Sequence, residues 1–302
     1  MGAGTEMSIG PLRKPQVMTD SDPPEPGWFE HEDSSVGEPG TGGVPRGRSE
    51  ATRDWPAIAI EAEVVSDRES YYEMLHERTM TEARRAVERG ERAGDRQAMH
   101  CVRAMDDCRR TANELAERVE EWAGGLVSNP GAGVEFARRV QANPELPSAL
   151  RTLAERVVAL DRQVERLRTD VERLSRDAAP NLTALAGPVL AARLIALAGG
   201  LETLAKKPSG TLQVLGAESA LFAHLRGDAP SPKHGVIYTH EAIRNTTASD
   251  RGSAARALAG KLTLAARVDH YSGTRKPELD AQLRDRIERI RSRATTAEAA
   301  DE

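Results

Sequence analysis

The chain has 302 residues, a formal net charge of −5 and only two cysteines, Cys101 and Cys108. This length suffices for two or three modest domains, and two cysteines exclude a framework built on disulfides. The first 20 residues lack the apolar run of a signal peptide, and the uncharged stretch 178–192 is too short to span a bilayer. We expect no membrane association, a buried helical role for residues 178–192, and a cytoplasmic protein.

Charge is distributed unevenly along the chain. Residues 181–273 contain ten basic and six acidic residues, a net charge of +4, so the rest of the chain carries −9. A basic module in an acidic chain is typical of an anion-binding domain. Ordinary surface variation also produces such a charge, so this observation alone leaves the function open.

The first 50 residues contain nine glycines and seven prolines. Such a composition cannot bury enough apolar surface to offset the ordering entropy, which predicts a disordered or reduced N-terminal segment over residues 1–53. Trp28 and Phe29, in "GWFEHED", are the exception. They are either solvated or a short motif that docks on a partner.

From Asp54 onward the pattern becomes helical. Tyr71, Tyr72 and Leu75 begin a helix that we predict to continue to Trp122. Its apolar positions alternate in steps of three and four, a heptad seam, and they are Ala98, Cys101, Met105, Cys108, Ala112, Leu115, Val119 and Trp122. The two cysteines are then core thiols, because a spacing of seven residues does not suit zinc.

A second heptad repeat follows a turn-rich connector, "AGGLVSNPGAG". Its seam runs over 33 positions, about 50 Å of helix, and consists of Leu146, Leu150, Leu153, Val157, Leu160, Val164, Leu167, Val171, Leu174 and Ala178. Two such helices with a short connector predict an antiparallel coiled-coil hairpin over residues 54–178. Valine and leucine in alternate seam positions also suit a parallel coil between two chains, so self-association stays open.

After Pro180 the heptads end and glycine breaks become frequent. This pattern predicts a compact α-helical domain over residues 179–273, in which "GVIYTHE" is the only strand-like run. A charged helix and tail follow over residues 274–302. Its apolar face consists of Leu279, Leu283, Ile287 and Ile290. The predicted fold class is mostly α.

The sequence offers no set of catalytic groups. "HEAIR" begins like a zinc-protease motif at His240, but Arg244 stands where the second histidine is needed. No glycine-rich loop ends in Gly-Lys-Ser/Thr, and no nucleophile, base and orienting group can be assembled. We therefore predict a protein that is not an enzyme and that holds no cofactor and no metal.

Several segments, in this order, resemble the Nop domain of the scaffold proteins of box C/D ribonucleoproteins. They are "NLTALAG", "LAGGLETLAKKPSGTLQVLGAESALF", "PKHGVIY" and "KLTLAARVD". Upstream, "YYEMLHERT", "AMDDCRRTANELAERVEEWAG" and the heptads resemble the coiled-coil domain of the same family. The chain has 36 arginines and six lysines, which is typical of an archaeal member from a GC-rich genome.

The resemblance implies a non-catalytic scaffold. Its Nop domain would bind kink-turn guide RNA together with a ribosomal-L7-like protein, and its coiled coil would form a homodimer. The methyltransferase fibrillarin would bind at the N-terminal side and carry out guided 2′-O-methylation of rRNA or tRNA. The family's folded N-terminal α/β domain has no match here, which leaves Trp28, Phe29 and residues 54–72 for that contact.

The resemblance also implies site residues. Lys206 aligns with an RNA-contacting lysine, Lys207 adds charge, and Ser209, Gly210 and Thr211 align with the loop that approaches the RNA stem. A histidine close to RNA in a relative falls on Thr239 or His240, and we assign it to His240. The other basic candidates for RNA binding are Lys233, Arg244, Arg256 and Lys261.

The helix "AESALFAHL" is the candidate surface for the partner protein, through Glu218, Leu221, Phe222 and Leu225. We expect Leu221 and Phe222 to be partly core as well. The candidate coiled-coil contacts are Met105, Leu115, Val119, Leu153, Val157, Leu160, Val164 and Leu167. The alternative function is a homodimeric coiled-coil module that binds only protein, and such a module has no need for the +4 charge.

Overall fold

The computed structural model describes residues 53–298, with side chains as far as Ser292. All regular elements in this range are helical, which confirms the mostly α fold class. The α-helices are α1 Trp55–Glu61, α2 Arg68–Glu91, α3 Gly94–Ala123, α4 Gly133–Ala142, α5 Ser148–Ala178, α6 Pro180–Ala186, α7 Pro188–Ala198, α8 Leu201–Lys206, α9 Ser209–Val214, α10 Glu218–Leu225, α11 Glu241–Arg244, α12 Arg251–Tyr271 and α13 Glu278–Glu298.

The chain divides into two compact units, with the boundary after Glu88. The predicted disorder of the N-terminal segment and the docking motif at Trp28 and Phe29 lie outside the described residues. The domain boundaries predicted at residues 53, 178 and 273 stay predictions.

The described part of the first unit is a small two-helix cluster. Asp54 caps α1 by accepting a hydrogen bond from the amide of Ala57 at 3.3 Å. Asp67 does the same for α2, where its Oδ1 accepts from the amide of Ser70 at 2.8 Å. Ala59 and Tyr71 are buried and form the centre of the cluster.

The predicted single helix from Tyr71 to Trp122 is wrong, because it is broken at Arg92 and Ala93. Gly90 and Gly94 flank the break, and glycine is about 1 kcal/mol less favourable than alanine in a helix. Local propensity at two glycines therefore overrides the long apolar pattern.

Helices α3 and α5 form the predicted antiparallel hairpin. The start of α3 lies beside the end of α5, since a Cβ on Gly94 would lie 3.6 Å from that of Ala178. The end of α3 shares a core with the start of α5, where Val119 and Leu150 are buried together. The connector contains α4, which the sequence analysis did not predict and which buries Phe136 against the same core.

The buried stripe of α3 differs from the predicted seam in every second position. Its fully buried residues are Ala98, Met99, Val102, Met105, Ala112, Ala116, Val119 and Ala123. Cys101, Cys108 and Leu115 are half-buried at the edge of the stripe. Trp122 is 44% exposed, so its place in the seam was wrong. From Ala98 the buried positions follow one another in steps of four and then three residues. The predicted seam took steps of three and then four, because large side chains lie at the edge of the stripe.

In α5 the two seam positions differ in burial. Val157, Val164 and Val171 are fully buried in the hairpin. The leucines that alternate with them, Leu153, Leu160, Leu167 and Leu174, are half-buried. One row of the seam is thus covered within the chain, and the other retains exposed apolar surface.

Helices α6 to α9, α11 and α12 surround a core of alanine and leucine side chains, with α12 in contact with α6, α8, α9, α11 and α13. The same core includes Met105 of α3 and Val171 of α5, so the base of the hairpin and the helical domain share one interior. "GVIYTHE" is not a strand: Val236–Thr239 is a 3-10 turn, with Ile237 buried. The apolar face of α13 is confirmed, since Leu283, Ile287 and Ile290 are buried.

In the described range, no single helix is long and apolar enough to cross a membrane. Helices α6 and α7 reach the length and apolar composition of a membrane span only when they are taken together, and the pair is bent by 117°. Most of their residues are buried in the protein, as expected for residues 178–192.

Candidate nucleic-acid interface

The lysine pair at the end of α8 lies on the surface. Lys206 is exposed and Lys207 is half-buried. Nζ of Lys206 donates to Oε1 of Glu202, one turn earlier, at 2.5 Å. This hydrogen bond raises the pKa of Lys206 and lowers that of Glu202, so both groups are charged at neutral pH. The predicted RNA-contacting lysine is therefore ion-paired, and a phosphate would compete with the Glu202 carboxylate for its ammonium group.

The loop after the lysines leads into α9, and there a distant segment joins it. The amide of Gly235 donates to the carbonyl of Gln213 at 2.8 Å, and that of Val236 donates to the carbonyl of Leu215 at 2.8 Å. Nε2 of Gln213 donates back to the carbonyl of Lys233 at 2.7 Å. The fold thus links Lys233 to the helix that begins with Ser209, Gly210 and Thr211, all of which are exposed.

Gly235 is required for this close approach. A Cβ at this position would lie 2.1 Å from the carbonyl oxygen of Leu215, a distance that no side chain tolerates. Backbone packing at Gly235 therefore determines where Lys233 lies.

Helix α10 has no buried residue. Phe222 is 62% exposed and Leu225 is 71% exposed, whereas Leu221 is half-buried. The expectation that Phe222 belongs partly to the core is therefore wrong. A helix that presents a phenylalanine and a leucine to solvent is the kind of surface that binds another protein.

His240 has a structural role. Its Nδ1 accepts from the amide of Ala242 at 3.1 Å, which caps α11, and its Nε2 donates to the carbonyl of Leu185 at 2.9 Å. Both ring nitrogens are used within the protein, which leaves only a ring face for RNA. Close by in sequence, the rings of His234 and Tyr238 stack with centroids 4.5 Å apart.

The remaining basic candidates lie elsewhere in the domain. Arg244 is exposed at the end of α11. Arg256 and Lys261 line a groove between α12 and α13 whose lining does not include the loop at residues 206–211. The structure therefore does not join all ten predicted RNA-binding residues into one surface.

A buried polar cluster was missed by the sequence analysis. The carboxylate of Asp269, on α12, accepts from the amide of Asn181 at 3.0 Å, from Nδ2 of Asn181 at 2.6 Å and from the amide of Leu182 at 2.8 Å. Oδ1 of Asn181 accepts from the amide of Lys276 at 2.6 Å. Two sequence features could have indicated this cluster. One is an asparagine directly after a proline that starts a helix, and the other is an aspartate at the end of an apolar helix.

The cysteines show no sign of metal chemistry in the range described. Burial is the main cause that raises the pKa of the Cys101 thiol, which keeps it protonated at neutral pH. No group of three or more His, Cys, Asp or Glu side chains suited to a metal ion occurs among the described residues.

A family model described as "Nop: snoRNA binding domain, fibrillarin" matches residues 97–292, well over half of the chain. The chain belongs to the Nop family. The predicted family is thus confirmed, and the loop at Lys206, the buried Asp269 cluster and helix α10 all lie inside the Nop match.

Sequence alignments with related proteins cover different fractions of this Nop family member. An uncharacterised NOP5 family protein of Methanocaldococcus jannaschii is 37% identical over an alignment of 238 residues that covers 65% of this chain and 57% of that protein. Nucleolar protein 58 of Scheffersomyces stipitis is 38% identical over an alignment of 247 residues that covers 68% of this chain and 48% of that protein. Nucleolar protein 58 of Aspergillus terreus is 39% identical over 156 residues, 52% of this chain and 26% of that protein. The chain thus spans about a quarter to just over half of their length.

The solved structures also contain a similar fold. A chain in the crystal structure of a fibrillarin/Nop5p complex matches with a TM-score of 0.52 and 24% identity. The match covers 82% of this chain and 88% of that chain. At this identity the likeness supports the fold of the Nop family member.

Proposed function

We propose that this chain is a non-catalytic scaffold of a box C/D guide ribonucleoprotein. Its Nop domain binds kink-turn RNA together with the L7-like protein that holds the kink-turn. Fibrillarin, which binds elsewhere on the chain, then methylates the 2′-hydroxyl of a target ribose in rRNA or tRNA. The proposal extends membership of a family described as a snoRNA-binding domain to a specific RNA and partners.

The observation that carries the proposal is the link between the lysine loop and the Lys233 segment. Hydrogen bonds between residues 213–215 and 233–236 hold two basic segments, separated by more than 20 residues, on one part of the surface. Exposed lysines and small side chains in Ser209 and Gly210 let phosphates approach the backbone. Such an arrangement positions RNA without reading its sequence.

The exposed α10 supports a composite target. Phe222 and Leu225 cannot bind phosphate, but they can bury apolar surface against a protein. Because α10 follows α9 after only three residues, and α9 begins in the lysine loop, protein and RNA contacts are close together in the chain. The RNA held by its L7-like protein therefore offers more contacts than free RNA does.

Self-association is part of the proposed scaffold. The half-buried leucine row of α5, which includes Leu153 and Leu160, retains apolar surface that a second hairpin can cover. Fibrillarin is proposed to bind through Trp28, Phe29 and residues 54–72. Deletion of residues 1–66 should abolish co-purification of fibrillarin and leave RNA binding unchanged.

The test is binding of the full chain to kink-turn RNA in the presence and absence of the L7-like protein. Lys206→Ala combined with Lys207→Ala should weaken the ternary complex and reduce the log–log salt slope by up to about two units, since each phosphate contact contributes roughly 0.7–0.9. Phe222→Ser combined with Leu225→Ser should weaken the complex with little change in slope. The control is Arg162→Ala with Arg166→Ala, which removes two exposed charges from the hairpin.

Two results would contradict the proposal. One is equal affinity of the wild-type chain for bare kink-turn RNA and for the preformed RNA–protein complex, which would exclude composite recognition. The other is an equal loss of affinity in the hairpin control, which would show that only net charge matters.

A further inference from the structure

The charged helix α13 borders a groove that combines two of the predicted RNA-binding residues, Arg256 and Lys261, with arginines of α13 to which the family resemblance assigns no role. The groove lies between α12 and α13, has a volume of about 590 Å³, and includes Leu264, which is 43% exposed. Four cationic side chains line it, two from each helix, and these are Arg256, Lys261, Arg286 and Arg289. We name it the α12–α13 groove.

The cations of the α12–α13 groove are not neutralised by the protein. Asp285 is the only acidic residue among the described residues that line it. Among the residues that the structure describes, none of the four cations has a carboxylate within 4.0 Å. Lys261 instead donates to the neutral Oε1 of Gln282 at 2.5 Å. Four like charges along one groove repel one another, and a bound polyanion would relieve that repulsion.

The opposite flank of α13 provides a comparison within the same helix. There, a second groove of about 840 Å³ is lined by three arginines and three acidic residues. Arg275 forms an ion pair with Asp280, and Nη2 of Arg291 donates to the carbonyl of Glu241 at 3.1 Å. One flank of α13 thus carries equal numbers of positive and negative side chains, and we call it the balanced flank. The other flank is cationic.

We propose that the α12–α13 groove binds the phosphate backbone of an RNA duplex that continues beyond the kink-turn. The spacing of the cations suits contacts with successive phosphates of an RNA backbone. Arg286 and Arg289 are three residues apart, about 4.5 Å along the helix, and Arg256 and Lys261 are about 7.5 Å apart. The floor is open, because a Cβ on Gly260 would meet no atom within 4 Å. The RNA class rests on the proposed function, and the groove adds a second contact region to it.

The experiment compares two RNAs, each bound by the L7-like protein and titrated with the full chain. One is a short kink-turn RNA, and the other carries an extra duplex of about two helical turns. We expect the wild-type chain to bind the extended RNA more tightly and with a steeper salt dependence. Arg286→Gln with Arg289→Gln should remove this gain, on the order of tenfold at low salt, and reduce the slope by up to about two units.

The matched control removes the same charge from other surfaces: Arg284→Gln, on the balanced flank of α13, with Arg162→Gln on the hairpin. It should retain the gain from the extended RNA. Equal loss in the control and the groove variant would overturn the proposal, as would equal wild-type affinity for the two RNAs. A groove variant that binds both RNAs normally but loses a protein partner would assign the groove to that protein instead. If the wild-type chain binds neither RNA, the proposed function itself fails.

Discussion

The hairpin and the helical domain are stabilised in different ways. In the hairpin, α3 and α5 have 30 and 31 residues and bury a continuous stripe of side chains. In the domain, α6, α8 and α9 have only six or seven residues each. Isolated helices this short are unstable in water, because nucleation costs more than a few hydrogen bonds return. Long helices can be stabilised by a repeating stripe of buried side chains, whereas short helices need additional contacts.

Side chains from neighbouring elements provide that support at the helix ends. Asp269 holds the start of α6, and Oδ2 of Asp95 accepts from the amide of Leu201 at the start of α8 at 3.0 Å. Arg267 donates to the carbonyl of Ala205 near the end of α8 at 3.0 Å. The contrast shows that a candidate RNA-binding surface built from short helices depends on a few polar residues that are distant in sequence.

The largest effect expected is in the hairpin. Val157→Asp places a charge at a fully buried position and removes apolar contacts, so it should lower the free energy of unfolding by about 4 kcal/mol or more. Leu160→Asp, at the half-buried row, should cost less but should abolish self-association. Denaturant unfolding and light scattering on the full chain measure these two effects. A monomeric wild-type chain at micromolar concentration would contradict the proposed dimer.

The next effect concerns the polar cluster of the helical domain. Asp269→Asn keeps the shape but places an amide where three N–H groups donate, and it should cost about 3 kcal/mol. The control is Asp107→Asn, which removes an exposed ion pair with Arg110 and should change stability by less than about 1 kcal/mol. Similar unfolding midpoints for the two variants would show that short helices do not depend on such contacts.

A smaller effect is expected at the approach of the two segments. Gly235→Ala should separate residues 233–236 from residues 213–215 and cost about 2 kcal/mol, with a loss of RNA affinity. Gly252→Ala is the matched control, because its added methyl meets no atom within 4 Å. Gly252 lies in α12, so that change should be neutral or stabilise by up to about 1 kcal/mol. Unchanged RNA affinity of the Gly235→Ala variant would show that the segment 233–236 is not needed for RNA binding.

The smallest effect concerns the exposed ion pair. Glu202→Gln removes the carboxylate that competes with phosphate for Lys206, so ternary-complex affinity should increase by about two- to fivefold. The pair lowers the pKa of Glu202. Its contribution to the free protein is therefore present above the usual pKa of a glutamate and is lost as pH falls through the lowered value. A decrease in affinity at neutral pH would show that Glu202 positions the lysine instead of competing for it.

The parts of the fold that follow from local periodicity were predicted. The seam of α5 and the apolar face of α13 need only the spacing of apolar residues. The register of α3 was wrong in alternate positions because Trp122 and Leu115 are large, whereas the buried Ala116 and Ala123 are small. Helix α4 was missed because glycines and a proline precede it.

The site was only partly predictable for a related reason. "GVIYTHE" has the composition of a strand, but the approach of Gly235 to Leu215 and the burial of Ile237 impose a tight turn. Charge counting grouped Lys206 with Arg256 and Lys261, although the last two belong to a separate groove. Net charge shows that a segment can attract anions, whereas the position of each cation depends on tertiary contacts.

The core shared by the hairpin base and the helical domain has a mechanical consequence. Met105, Val171 and Leu258 belong to one packed interior, and Arg193 on α7 makes a two-point ion pair with Asp106 on α3, at 2.5 and 3.1 Å. The joint is therefore stiff, and the 17 residues of α3 that follow Asp106 act as a lever about 25 Å long. A tilt of about 5° at the joint would displace the far end by about 2 Å. Small strains at an occupied Nop surface would thus be amplified where the two long helices end.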